Sequence, residues 1–181
     1  MPDAPLRLAA LVAADLPSPD AKDWDAQMRR VITRGHTAAW LAGTAERLGV
    51  PLNSPLLSRA RLSRAERAEI AKLVEKQLKY LKGFQDARGE MSDGAVAARA
   101  DMYPGAVRAT YYDAKYGDWD IPESLMPGNQ ECLTRCKCTI SVADNGDGTG
   151  TLTRSLHAEN NCDECPPLAG EHEVKRKDAD D

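Results

Sequence analysis

Five cysteines in two groups are the residues of this chain best suited to do chemistry. Cys132, Cys136 and Cys138 lie in the run ECLTRCKC, and Cys162 and Cys165 follow in the run NCDEC. Thiolates are preferred ligands of zinc in structural sites, where four ligands surround the ion tetrahedrally. Two short loops can provide these ligands if a β-hairpin brings the loops together. The spacing therefore predicts a closed, structural zinc site with no open coordination position for catalysis.

Five thiols compete for four positions around one ion. We expect the ligands to be Cys136, Cys138, Cys162 and Cys165. Cys132 is the alternate, because either Cys132 or Cys136 could pair with Cys138. His157 is a possible substitute for a thiolate, and His172 is a weaker one. The competing interpretation is that the cysteines are reduced or disulfide-bonded and only help to pack a small appendage. An odd number of cysteines argues against a fully paired disulfide framework.

Charge is distributed unevenly along the chain. The formal net charge is -4, but residues 21–91 hold 14 Lys/Arg against 8 Asp/Glu, and residues 92–181 hold 9 against 17. The second predicted helix carries a row of lysines: Lys72, Lys76, Lys79 and Lys82. Such a row could contact phosphates, so a zinc-dependent nucleic-acid-binding protein is the alternative function. Ordinary solvated helix faces are the simpler explanation of the same charges.

Apolar periodicity predicts long helices in the first two thirds of the chain. Residues 21–48 place apolar side chains on one face, with Gly35 marking a bend or a close contact. Ser63 and Glu66 form a capping-box pattern ahead of a second helix that ends near residue 87. A third helix is expected from residue 95, and Pro104 with Gly105 kinks or restarts it.

The C-terminal third has a different pattern. Residues 139–142 and 151–156 alternate as strands and are joined by Asn-Gly and Asp-Gly, which are hairpin turn signals. We predict a flexible arm over 1–20, a helical domain over 21–117, a cysteine-rich zinc-hairpin module over 118–170 and a charged, mobile tail over 171–181. The predicted fold class is mainly α with a small C-terminal β-hairpin zinc-binding module, similar to a zinc ribbon.

Other sequence features narrow the functional classes. The N-terminal apolar run is too short and too acidic for a signal peptide, and no stretch approaches the length of a transmembrane helix. We therefore expect a protein made in a reducing cytoplasm without membrane contact, where clustered cysteines favour metal binding. His36 is expected to be a partly buried histidine rather than a catalytic one. The sequence has no phosphate loop, nucleophile elbow or paired-carboxylate motif, so we expect no enzymatic activity.

Three tracts accompany the cysteine elements: AEIAKLVEKQLKYLKGF, AVAARADMYPGAVRATYYDAKYG and NQECLTRCKC. From about residue 40 to residue 168, the chain resembles the Mu F-like head morphogenesis, or minor capsid, group of bacteriophage proteins. That group has a Cys-Leu-x-x-Cys-x-Cys element, which the run from Cys132 matches, and a later Cys-x-x-Cys, which Cys162 and Cys165 match. This chain has Asn160 and Asn161 where the group often has Glu-His, a difference that leaves the thiolates intact.

The resemblance implies a non-enzymatic virion protein. It implies a minor head or capsid-associated component near the portal or the inner capsid, present in the virion and, during assembly, in the host cytoplasm. The implied partners are other virion proteins, either the portal or the major capsid protein, contacted by multiple copies of this chain. Because only one Phe and 5% aromatic residues are available for a core, burial against such partners is expected.

Overall fold

The computed structural model describes residues 11–18, 21–57, 62–100, 102–127, 138–156 and 163–177. Its four main helices are α1 (Trp24–Leu48), α2 (Arg64–Arg88), α3 (Asp93–Ala100) and α4 (Tyr103–Lys115). Its four strands are β1 (Trp119–Asp120), β2 (Thr139–Asp144), β3 (Thr149–Ser155) and β4 (Gly170–Arg176). The strands form one antiparallel sheet in the order β1-β4-β3-β2. The protein is therefore mainly helical with a small, curled sheet.

The helix starts follow the local signals in the sequence. At the start of α2, the backbone N–H of Glu66 donates to Ser63 Oγ at 3.1 Å, and the Ser63 N–H donates to Glu66 Oε2 at 2.8 Å. This reciprocal pair satisfies two backbone donors that the helix itself leaves unpaired. α4 begins with proline in its first turn, where a missing N–H breaks no hydrogen bond. The chain therefore restarts a helix at Tyr103, as the sequence predicted.

α1 lies between two apolar clusters and contributes to both. The helix-side core contains Trp24, Met28, Ile32, Trp40, Leu62, Ile70, Val74, Leu81, Phe84, Val96, Ala100, Tyr103 and Ala114. The sheet-side core contains Val12, Val31, Ala39, Ala42, Val107, Tyr111, Tyr112, Trp119, Leu125, Met126, Ile140, Leu152 and Val174. Because α1 contributes buried side chains to both clusters, this helix fixes the sheet relative to α2.

Small residues let α1 and α4 approach each other closely. Gly35, Ala39 and Gly43 are buried and recur every four residues, so they lie on one face of α1. A Cβ at Gly35 would lie 3.0 Å from Val107 Cγ1, and one at Gly43 would lie within van der Waals overlap of the Tyr111 carbonyl oxygen. Gly35 therefore marks a close contact and not a bend, since α1 continues without interruption to Leu48.

The predicted hairpin is present as β2 and β3. Val142 pairs with Leu152 and Ile140 pairs with Arg154, so these four side chains share the inner face of the sheet. Ile140 and Leu152 belong to the same core as Val107 on α4. The predicted boundary at residue 117 therefore separates two types of secondary structure but does not separate two cores.

The prediction of a mobile tail from residue 171 was wrong for the part of it that the structure describes. Residues 170–176 form β4, which pairs with β3 on one side and β1 on the other. Val174 is 3% exposed and belongs to the sheet-side core. The sequence signal was weak because Val174 is the single strongly apolar residue among charged neighbours. The sheet consequently has four strands where a two-stranded hairpin was predicted.

The N-terminal arm was also predicted to be flexible, and its described part is packed. Residues 11–14 are helical, and Val12 is 8% exposed in the sheet-side core. Val12 lies beside Gly35, because a Cβ at that glycine would be 3.1 Å from Val12 Cγ2. Because Gly35 has no side chain, α1 leaves the space that Val12 occupies.

Replacing Gly43 with alanine tests the close approach of α1 and α4. We expect Gly43→Ala to lower the free energy of unfolding by about 2–3 kcal/mol, because the new methyl group overlaps backbone atoms that cannot rotate away. Gly83→Ala is the matched control, since nothing lies within 4 Å of a Cβ there. In that exposed helical position alanine should stabilise the protein by about 0.5–1 kcal/mol. Urea unfolding measures both, and equal effects of the two substitutions would contradict the packing argument.

Candidate metal centre

Two of the predicted zinc ligands meet at one end of the sheet. Cys138 immediately precedes β2, and Cys165 precedes the short 3-10 helix Pro166–Leu168 that leads into β4. Both cysteines are 0% exposed and pack together in one buried cluster, with Leu156 against it. The start of β2, the end of β3 and the start of β4 are adjacent in the sheet. The sheet therefore brings one cysteine from each sequence group into the same buried place.

Arg154 on β3 lies against this cysteine pair. Its side chain is 1% exposed, and its Nη2 lies 3.5 Å from Cys165 Sγ. Its Nη1 donates to the carbonyl oxygens of Leu125 at 2.7 Å and Ser124 at 3.2 Å. A guanidinium has five N–H donors in a rigid fork, so it can bind a sulfur and two carbonyls at once. Arg154 thus holds Cys165 and the segment after β1 against the same strand.

A second buried arginine contacts the backbone of Cys138. Arg108 on α4 is 4% exposed and donates from Nη2 to the carbonyl oxygen of Cys138 at 3.0 Å. Nearby, the Tyr116 hydroxyl donates to the carbonyl oxygen of Ile140 at 3.2 Å. The Cys138 carbonyl immediately precedes the edge strand β2 and the Ile140 carbonyl lies in it, so Arg108 on α4 and Tyr116 just after α4 satisfy backbone acceptors near this edge. α4 therefore fixes the position of Cys138.

The other predicted ligands lie outside the described residues. These are Cys132, Cys136, Cys162 and His157. Within the described ranges, no group of three or more His, Cys, Asp or Glu side chains is arranged to hold a metal ion. His172, the weaker histidine candidate, lies on β4 and its Nε2 is 3.0 Å from the Leu168 carbonyl oxygen. The described donor set is thus two sulfurs, which suits a soft or borderline ion such as zinc.

The two buried arginines are the part of this site that sequence reasoning missed. In β3 the buried residues alternate as Gly150, Leu152 and Arg154, so the arginine occupies an inward position of the strand. An arginine in phase with buried apolar residues is unusual, because a buried charge needs compensation. That alternation was the available signal, and it indicated that hydrogen-bond acceptors lie near the end of β3.

His36 forms a buried polar network that joins three parts of the helical domain. Its Nδ1 lies 2.6 Å from Thr110 Oγ1 on α4, and its Nε2 lies 2.5 Å from Gln77 Oε1 on α2. Gln77 Nε2 donates to the Tyr103 carbonyl at 3.0 Å, which leaves Oε1 to accept from the ring. The neutral Nε2–H tautomer satisfies every one of these contacts. Burial lowers the pKa of His36, and the position fits a structural role.

Asp113 on α4 is a second unusual titratable group. Burial is the main cause that raises its pKa to about 6, and the nearby Glu69 carboxylate contributes to the same rise. Lys177 and Lys72 lie close enough to oppose this shift but do not cancel it. The group lies where α4 meets α2 and the end of the sheet.

The lysines proposed to contact nucleic acid lie on a face of mixed charge. Lys72 Nζ is 3.3 Å from Glu69 Oε1, and Lys76 Nζ is 3.7 Å from Glu123 Oε1. Lys79 and Lys82 are exposed on the same helix. Neighbouring carboxylates reduce the attraction of such a face for phosphates. Nucleic-acid binding through these lysines stays a prediction.

Comparison of the chain with protein-family models, with curated proteins and with solved structures finds no match. Among the described residues, no helix is both long enough and apolar enough to cross a membrane.

Replacing His36 tests the buried network through its pH dependence. Burial lowers the pKa of His36 below its ordinary value of 6.5 in the folded protein, so as the pH falls the unfolded chain takes up the proton before the folded protein does. The contribution of His36 to the free energy of unfolding therefore decreases as the pH falls below about 6.5 and does not change with pH above that value. We expect the stability advantage of the wild type over His36→Gln to shrink between about pH 7 and about pH 5. Urea unfolding across this range measures it. His172→Gln is the control, and an advantage that does not change with pH would contradict the assignment.

Asp113 should show the opposite trend. Its pKa is raised from 3.8 to about 6 in the folded protein. Between about pH 4 and about pH 6 the folded state therefore keeps a proton that the unfolded state has lost. The free energy of unfolding falls as the pH rises through this range. We expect Asp113→Asn to be more stable than the wild type near neutral pH and to lose this part of the pH dependence. Thermal unfolding of the two proteins at a series of pH values tests it, with exposed Asp86→Asn as the control. A variant less stable than the wild type at neutral pH would overturn the expectation.

Proposed function

We propose that this chain is a non-enzymatic structural protein of a bacteriophage particle, whose C-terminal sheet is stapled by zinc and docks on another virion protein. It would be a minor head or capsid-associated component near the portal or the inner capsid. The observation that carries the zinc part of this proposal is the burial of Cys138 with Cys165 in one cluster. The resemblance of the helical tracts and the cysteine elements to the Mu F-like head morphogenesis group supports the virion part.

The geometry around the buried pair supports a metal centre. Cys136 lies two residues before Cys138 along the chain, and Cys162 lies three residues before Cys165. We expect these two thiols to complete a tetrahedral set, with Cys132 or His157 as the alternates. Such a centre would connect the start of β2 to the start of β4. Zinc would hold the ends of strands whose apolar contribution to the core is small.

The small apolar content of the sheet favours a structural role over a catalytic one. On the inner face β4 contributes Val174, and β3 contributes Leu152 beside the buried Arg154. A fully thiolate zinc shell has no open position for a substrate or an activated water. A stapled sheet at the end of a rigid helical domain is suited to bind a partner. We propose the portal or the major capsid protein as that partner, with multiple copies of this chain per particle.

Metal analysis of the purified chain tests the zinc centre directly. We expect about one zinc ion per chain when the protein is purified without added metal, and no disulfide by thiol counting under denaturing conditions. A chelator should then increase amide hydrogen exchange in β2, β3 and β4 much more than in α2, because metal binding and folding are coupled. Cys138→Ser and Cys165→Ser should lose the ion.

Serine substitutions of the remaining cysteines decide between the alternate ligands. Cys136→Ser and Cys162→Ser should release zinc, and Cys132→Ser is the matched control that should retain it. If Cys132→Ser releases zinc and Cys136→Ser retains it, Cys132 is the ligand in place of Cys136, and the zinc centre itself still stands. A wild-type protein with no metal and five reduced thiols, or with two disulfides, would overturn the zinc staple.

Peptide mass spectrometry of purified particles tests the virion assignment separately. We expect the chain in phage heads at a fixed copy number greater than one, and we expect Cys165→Ser to reduce its incorporation. Particles assembled in the presence of the chain that contain none of it would contradict the assignment. If a chain that does not enter the particles still binds zinc, the zinc part of the proposal stands and the virion part fails. The two parts can therefore fail independently.

A further inference from the structure

We propose that Asn145 is a site of spontaneous covalent modification, at which the β2–β3 hairpin controls the rate of deamidation. Asn145 precedes Gly146 in the turn that joins the two strands, and both residues are exposed to water. An asparagine followed by glycine is especially prone to this reaction, because glycine has no side chain to hinder attack by its backbone nitrogen. The closed hairpin holds both reacting groups in other hydrogen bonds, so the reaction takes place when the turn opens.

Deamidation of this pair needs water and no other reactant. The backbone nitrogen of Gly146 passes its proton to solvent and forms a bond to Cγ of Asn145. The C–N bond of the side-chain amide breaks, and its nitrogen takes up a proton and leaves as ammonia. Water then opens the resulting succinimide ring at either carbonyl, which leaves aspartate or isoaspartate at position 145. The net change is the uptake of water and the loss of ammonia, without oxidation or reduction.

The side chain of Asn145 is held at both ends by threonines of β3. Its Nδ2 donates to Thr149 Oγ1 at 3.0 Å, and its Oδ1 accepts from the Thr151 hydroxyl at 3.3 Å. The Thr149 hydroxyl in turn donates to Asp147 Oδ1 at 2.7 Å, so the Thr149 oxygen is left to accept from Asn145. This chain of donors fixes which end of the carboxamide is nitrogen. The carbon atom that must be attacked is therefore tied to β3.

The attacking nitrogen is engaged by a different residue. The Gly146 N–H donates to Asp144 Oδ1 at 2.9 Å, and Arg176 on β4 holds the other oxygen of this carboxylate. Loss of the Gly146 proton would break that hydrogen bond, so the N–H is harder to ionise in the closed turn. The Asn145 N–H also donates to the Thr149 carbonyl oxygen at 3.0 Å, which closes the hairpin. Ring closure therefore requires that the turn first give up these contacts.

Deamidation would change the hairpin in two ways. A carboxylate at position 145 has no N–H to donate to Thr149, and it adds a negative charge beside Asp144 and Asp147. Isoaspartate also adds a carbon atom to the main chain between β2 and β3, where the turn sets the pairing register. Each opening that leads to reaction would thus leave a permanent charge at the end of the sheet opposite Cys138.

Incubation of the full chain near neutral pH, followed by peptide mass spectrometry of residues 139–155, tests the inference. We expect Asn145 to deamidate about tenfold or more slowly in the folded protein than in the same chain unfolded in urea, because the reaction waits for a local opening. Thr151→Val removes the hydroxyl that holds Asn145 Oδ1 and keeps a β-branched shape. It should speed the reaction in the folded protein by about two- to tenfold, the effect of one lost hydrogen bond.

Thr153→Val is the matched control, because Thr153 lies on the same face of β3, two residues farther from the turn. It should leave the rate unchanged, and amide hydrogen exchange in β2 and β3 should be the same in both variants. An increase in deamidation that Thr153→Val shares would contradict the specific hold on Asn145. A folded chain that deamidates as fast as the unfolded chain, or a Thr151→Val variant that reacts at the wild-type rate, would overturn the inference.

Discussion

The close contact between α1 and α4 is the constraint on which the other parts of the structure depend. At Gly43 the backbones approach so closely that a methyl group has no space, and at Gly35 the same face admits Val107 and Val12. The inner face of the sheet packs against side chains of α4, and α1 contributes many of the side chains of the helix-side core. A larger separation of these two helices would open both cores at once. The sheet is therefore attached to the helical domain through a close backbone approach that depends on glycine at these positions.

Polar groups buried in this fold determine specific positions more than they add stability. His36 connects α1 to Gln77 on α2 and to Thr110 on α4, and its hydrogen bonds are satisfied in a single tautomer. Arg154 and Arg108 have the same positioning role at the sheet. Their N–H groups donate to carbonyl oxygens and to a cysteine sulfur. Each buried group carries a desolvation penalty that hydrogen bonds must offset. A sheet with this few apolar side chains has a small hydrophobic contribution, so the arginines and the proposed metal become important for its fold.

Hydrogen bonds explain how β3 accepts a charged residue among its inward positions, because the Arg154 guanidinium donates to two carbonyl oxygens and to the sulfur of Cys165. Leu152 and Arg154 lie on the same face, yet one belongs to the apolar core and the other to the cysteine end. Along its length the inner face of β3 thus changes from apolar packing to hydrogen bonding. In the proposed virion role, the staple would keep a small sheet ordered until its partner covers it.

The sequence by itself determined the features that depend on neighbouring residues. These include the two long helices, the capping box at Ser63, the restart of the chain at Tyr103 and the β2–β3 hairpin. It also indicated that cysteines from two distant groups would meet, and Cys138 and Cys165 do so. Only the tertiary structure decided that residues 170–176 form a strand, that Val12 is packed and that Arg154 is buried. The physical reason is that these residues carry weak local preferences, and their burial depends on surfaces formed by segments far away in the chain.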